Sequence, residues 1–212
     1  YSVPGGSSLI GAEIRAGSEA SFSSFTIDVG TGNTCTLKGT APVKWSGSLS
    51  VLSGSLDLAS PHDLSPGSAQ AALVIDVARS NGINRSLGSF NTSKVHYTLR
   101  LIGNLQRSYT LSPELTSDLT NVDTLLVDVN SDTEDTDSNP RTGTQQFFQF
   151  PGGLFVFGGS LQVGPVAVVR LEGDGKSGNS MELSGASASH RIRGILMTAD
   201  SGDATAVSGE RG

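Results

Sequence analysis

The feature that most constrains this chain is a strict alternation of apolar and polar residues. Val43, Trp45, Leu49 and Val51 share one parity, while Lys44, Ser46, Ser48 and Ser50 share the other. Val95, Tyr97, Leu99 and Leu101 alternate in the same way with Lys94, His96, Thr98 and Arg100. Successive side chains of a strand point to opposite faces, so a period of two gathers the apolar set on one side, against a core. Shorter alternations recur at Phe25, Ile27 and Val29, at Cys35 and Leu37, at Leu56 and Leu58, and at Met181 and Leu183. Residues 71–78, apolar but for Asp76, suit a buried strand or a helix capped by Ser68 and ended by Gly82, and the core Val74-Ile75-Asp76-Val77 favours the strand.

Turn signals punctuate these strands. Gly30-Thr31-Gly32-Asn33, the Pro-rich residues 60–67 and the Gly-rich residues 173–179 are examples. Glycine supplies 27 of 212 residues and charged residues only 16%, a composition suited to many short strands and tight turns. The turn spacing of about 8–12 residues gives roughly ten to twelve strands. Ser112-Pro113-Glu114 reads as one helix start, with Ser at the cap, Pro in the first turn and an acid at the dipole's positive end. Leu115, Leu119 and Val122 follow at helical spacing.

The expected fold is therefore all-β, an antiparallel β-sandwich of jelly-roll-like topology with at most one or two short helices. One domain is expected over residues 1–212, with an extended N-terminal arm (about 1–10) and a loose C-terminal tail (about 200–212). Gly47-Ser48-Leu49-Ser50 and Gly54-Ser55-Leu56-Asp57 echo each other, but two such hits do not establish a repeat architecture. The chain opens on Tyr1 rather than Met, as expected of a processed or trimmed product.

Several chemistries lack their residues. The net charge is −6 with no basic run, so there is no nucleic-acid footprint. No apolar stretch approaches the ~18 residues of a membrane span. Cys35 is the only cysteine, which excludes an internal disulfide and a multi-cysteine zinc site. Gly173-Asp174-Gly175-Lys176-Ser177-Gly178 matches a dinucleotide fingerprint, but strand-like Met181-Glu182-Leu183 follows where a helix is needed. Arg170 also stands where a phosphate-binding loop needs its first glycine, so a hairpin turn is expected. His62, His96 and His190 accompany no nucleophile elbow and no zinc-binding helix motif, and they read as surface residues.

Charge is distributed unevenly. Residues 108–140 contain eight acids and no Lys or Arg. Within them Asp128, Asn130, Asp132 and Glu134 alternate, and Asp135 and Asp137 follow. Oxygen ligands at alternate positions resemble the first half of a calcium loop. Thr133 and Asn139 depart from the EF-hand pattern, which leaves a looser Ca²⁺ site, completed by another loop or subunit, or a solvated acidic turn. Asn84-Arg85-Ser86 and Asn91-Thr92-Ser93 are N-glycosylation triplets. Residues 147–157 are apolar, β-prone and uncharged, suiting either a buried hairpin or a surface covered on assembly.

No stretch is specific enough to name a family. The expected function is that of a non-catalytic structural subunit which self-assembles into a shell or filament, as in a viral capsid or projection protein or an extracellular fibre. Its partner is then itself, and its location extracellular or on a virion surface. The alternative is a calcium-dependent carbohydrate-binding module, and the third reading a β-sandwich hydrolase.

Overall fold

The structure is a computed structural model that describes residues 2–3, 12–16, 19–131, 146–151, 154–171, 180–198 and 206–209. The chain divides into two compact units, Tyr1–Arg100 and Leu101–Gly212. Each is built as a parallel β-solenoid.

The strands of the first unit are β1 (Ser2–Val3), β2 (Ala12–Ala16), β3 (Ala20–Asp28), β4 (Thr34–Gly39) and β5 (Val43–Leu58). They continue with β6 (Asp63–Pro66), β7 (Ala72–Asp76), β8 (Ser80–Asn84) and β9 (Ser89–Phe90). The unit boundary falls inside β10 (Tyr97–Asn104).

β5 shows how the coil is made, because it turns through three faces. Its residues 43–45 pair with the start of β3 on one side and with β6 on the other. Residues 48–51 pair with the rest of β3 and with β7. Residues 55–57 pair with β4 and β8. Each face of β5 thus has one neighbour from the coil before and one from the coil after. The spacing between coils is not constant: Thr34, Ser55 and Gly82 are matched in register, and the second interval is the longer.

Equivalent side chains therefore stack from coil to coil. Phe25, Leu49 and Leu73 form one buried column, and Ile27, Val51 and Ile75 another. Cys35 lies over Leu56, and Leu37 over Leu58. Trp45, Phe90 and Tyr97 close the core, with ring centroids 5.8–6.5 Å apart and the Trp45 indole N–H donating to the Ala72 carbonyl at 3.1 Å. Each such large apolar side chain contributes about 1.5–3 kcal/mol on burial. Gly54 makes a corner with φ +71°, a conformation L side chains rarely adopt.

The second unit continues with β11 (Tyr109–Thr110), α1 (Pro113–Asp118), a 3₁₀ turn (Leu119–Asn121), β12 (Val122–Asn130), β13 (Phe148–Phe150) and β14 (Leu154–Phe157). β15 (Ser160–Val163), β16 (Val168–Leu171), β17 (Ser180–Leu183), β18 (Arg191–Ile192), β19 (Ile195–Thr198) and β20 (Ala206–Gly209) complete it. Three parallel rows result: β11, β13, β16 and β19; β12, β15 and β18; β14, β17 and β20. Phe148, Phe150, Phe155 and Phe157 point into the core, where the Phe150 and Phe155 rings approach to 4.3 Å.

The mostly-β character with little helix agrees with the sequence, and α1 has the expected cap: the Ser112 hydroxyl accepts from the Leu115 amide at 3.3 Å. The antiparallel sandwich and its jelly-roll topology are wrong. Every described pairing is parallel: no two described strands pair as an antiparallel hairpin, and even β4 and β6, the sequence neighbours of β5, pair with it in parallel. Alternation marks a strand and its buried face but not the direction of its neighbour, since both sheet types place side chains alternately. Residues 147–157 are accordingly not a hairpin, because β13 and β14 belong to different rows. The turn expected at residues 173–178 lies outside the described residues; β16 and β17, on either side of it, belong to different rows. Within the two terminal stretches, Ser2 and Val3 pair with Thr26 and Ile27, and β20 pairs with β17.

Candidate functional site

The most unusual surface of the described structure is the outer side of β14. Its sequence, Leu154-Phe155-Val156-Phe157, is apolar on both parities. Phe155 and Phe157 are buried, whereas Leu154 is 66% and Val156 49% exposed. On one side β14 pairs in register with β17, Leu154 opposite Ser180 and Val156 opposite Glu182.

On its other side β14 pairs with no described strand. The topology explains why. β11 pairs with β13 and β12 with β15, so the segment between β11 and β12 corresponds to β14 in the next coil. That segment starts with Ser112-Pro113 and folds as α1 and the 3₁₀ turn, which offer no strand ladder. Among the described residues β14 is therefore an edge strand, with one unpaired side and two outward apolar side chains. No charged residue occurs between Arg141 and Arg170, so the charges that usually guard an edge are missing from its neighbourhood in sequence. Such an edge can accept an extended strand. Leu154 and Val156 cannot be separated from their neighbours by sequence pattern, because no polar residue interrupts the run.

The calcium candidate divides at the limit of description. Asp128 and Asn130 lie at alternate, half-buried positions of β12. Asp132, Glu134, Asp135 and Asp137 lie outside the described residues. Both ends of the acidic stretch are held together at its base. The Gln146 amide donates to the Ser131 carbonyl at 3.3 Å, and the buried Ser131 hydroxyl accepts from the Val168 amide at 2.9 Å. Among the described residues no group of three or more His, Cys, Asp or Glu is placed to hold a metal ion.

The histidines differ from one another. His96 is exposed, and the His190 Nδ1 accepts from the Leu161 amide at 3.2 Å. His62, expected at the surface, is 6% exposed, and neither of its ring nitrogens has a hydrogen-bond partner among the described residues. Cys35 is fully buried, and burial pushes its thiol up to about 11, so it is held as the unreactive protonated form.

Two polar clusters stabilise coil geometry. At a corner of the first unit the Ser53 hydroxyl donates to Asp28 and accepts from the Gly30 amide at 2.8 Å. Arg79 approaches the same Asp28 carboxylate at 3.7 Å. Asp76 accepts from the Ala78 and Arg79 amides, and burial raises its carboxyl above the usual range. In the second unit Gln149 bridges neighbouring coils: its amide donates to the Thr110 hydroxyl at 3.3 Å and its carbonyl accepts from the Arg170 Nε at 3.0 Å. The Arg170 guanidinium lies 4.6 Å from the centroid of the Phe147 ring. These residues tie adjacent coils together and need no ligand. Compared with known proteins, the chain matches no family model, no curated protein and no solved structure.

Proposed function

We propose that this chain is a non-catalytic structural subunit that associates with copies of itself into a larger assembly, a shell or filament at an extracellular or virion surface. The observation that supports this reading is β14 itself, a strand paired on one side only among the described residues, with Leu154 and Val156 standing out from its outer face. A parallel solenoid is a stack of strand ladders, and a free ladder edge is the surface on which another strand adds with the least rearrangement.

Two side chains and one short ladder cover far less than the roughly 1,600 Å² of a stable pairwise interface. One such contact is therefore weak. The expected product is a many-copy, concentration-dependent assembly held by repetition of the contact, not a tight dimer.

The test is light scattering with negative-stain electron microscopy across a concentration series. The wild-type chain is expected to form particles or filaments as concentration rises. The Leu154→Lys/Val156→Lys variant should stay monomeric with an unchanged circular dichroism spectrum, since both positions face outward. A wild-type protein that remains a monodisperse monomer throughout overturns the reading.

A further inference from the structure

The two glycosylation triplets read alike in sequence but sit in opposite environments. Asn84 ends β8 and is exposed, and Ser86, two residues on, is exposed as well. Arg85, between them, lays its guanidinium 4.9 Å from the centroid of the Phe90 ring, and the amides of residues 87 and 88 both donate to the Leu58 carbonyl, at 3.0 and 2.8 Å. The acceptor and its partner residue are thus both exposed, one at the end of a strand and the other on the bend that follows.

Asn91 is 6% exposed and has φ +52°. Both ends of its side chain are engaged by a single residue. Its Nδ2 donates to the Val95 carbonyl at 2.8 Å, and its Oδ1 accepts from the Val95 amide at 2.9 Å. The Lys94 amide closes the turn on the Asn91 carbonyl at 3.0 Å, and the Thr92 amide is held by Asp63 at 3.0 Å. A glycan on Asn91 Nδ2 would set a bulky polar chain in a side chain that is buried and held at both ends, and the fold would have to open to admit it.

We infer that Asn84 is this chain's acceptor for an N-linked glycan and that Asn91 is closed to one. The donor is an oligosaccharide linked to a lipid through pyrophosphate. A bond forms between Asn84 Nδ2 and the anomeric carbon, the bond from that carbon to the pyrophosphate oxygen breaks, and the lipid pyrophosphate leaves. The amide proton passes to a base of the transferase. This inference stands on the geometry of residues 80–95 and does not depend on self-association.

The test is secretion of the full chain from a eukaryotic host, followed by intact mass measurement before and after enzymatic removal of N-glycans. Ser86→Ala and Ser93→Ala each delete one triplet without altering either asparagine. The expected result is one glycan on the secreted wild type, lost in Ser86→Ala and kept in Ser93→Ala. An unmodified secreted wild type, or a Ser86→Ala variant that keeps its glycan, overturns the assignment of Asn84. Two glycans on the wild type, one of them lost in Ser93→Ala, overturn the closure of Asn91.

Discussion

Replacing Gly54 by alanine measures what a solenoid corner demands of the chain. Gly54 has φ +71°, and a Cβ built on it would meet the Asn33 carbonyl oxygen at 2.5 Å, Val29 Cγ2 at 2.6 Å and the Gly30 carbonyl oxygen at 2.8 Å. Two of these three atoms are backbone, and they are tied in place. The Asn33 amide donates to the Gly30 carbonyl, the Ser55 amide to the Asn33 carbonyl, and the Gly54 amide to the Arg79 carbonyl, all at 3.0–3.1 Å. The left-handed backbone costs an alanine about 1–2 kcal/mol, and overpacking against a fixed neighbour adds about 1–3 kcal/mol. Gly54→Ala should thus lose about 2–5 kcal/mol. Gly32→Ala is the control, since Gly32 has φ +83° but nothing within 4 Å of its Cβ position. It should lose only the backbone part, about 1–2 kcal/mol. Both variants change the unfolded chain alike, so the difference between them isolates the packing cost. Urea unfolding followed by fluorescence of Trp45, the chain's one tryptophan and buried in the same unit, measures both. Equal midpoints for the two variants would refute the stacked-corner geometry.

Cys35 should resist a thiol reagent at pH 8 in the native state and react fully in denaturant, because burial raises its thiol from 9.0 to about 11. A folded-state value above the unfolded one means that the stabilising contribution is complete below pH 9 and is lost as pH rises through about 11. Cys35→Ala should therefore show a shallower fall in stability across that window, and an equally steep fall would contradict it. His62→Leu should raise stability by about 1–2 kcal/mol, since it removes two buried ring nitrogens without partners among the described residues and keeps an apolar group of similar size. Destabilisation in urea unfolding would mean that the imidazole makes a contact worth keeping.

Local patterns reached some of this structure and missed the rest for identifiable reasons. The parity of Val43, Trp45, Leu49 and Val51 named a strand and its inward side, and all four are buried. The capped helix at Ser112 was equally legible, because a cap is local chemistry. The parallel coil leaves one mark in the sequence, the even spacing of the columns Phe25, Leu49, Leu73 and Ile27, Val51, Ile75. The column Thr34, Ser55 and Gly82 is spaced unevenly, and such shifts hide the repeat from a search for identical segments. Asn84 and Asn91 could not be separated at all, because their difference lies in partners such as Val95 and in burial.

What the sequence by itself determined is the longer strands with their inward faces, the capped helix at Ser112 and the absence of familiar catalytic motifs. These depend on residues within a few positions of one another, where alternation and capping act directly. Turn spacing suggested roughly ten to twelve strands where twenty are described, and the residues of β6 read as a turn. The tertiary structure alone decided that the strands run parallel and stack as coils, that α1 stands where a strand would have paired with β14, and which parity of β14 faces outward, that of Leu154 and Val156. Those outcomes depend on which strand lies next to which between residues distant in the chain, and a side-chain period of two is the same whichever direction the neighbour runs.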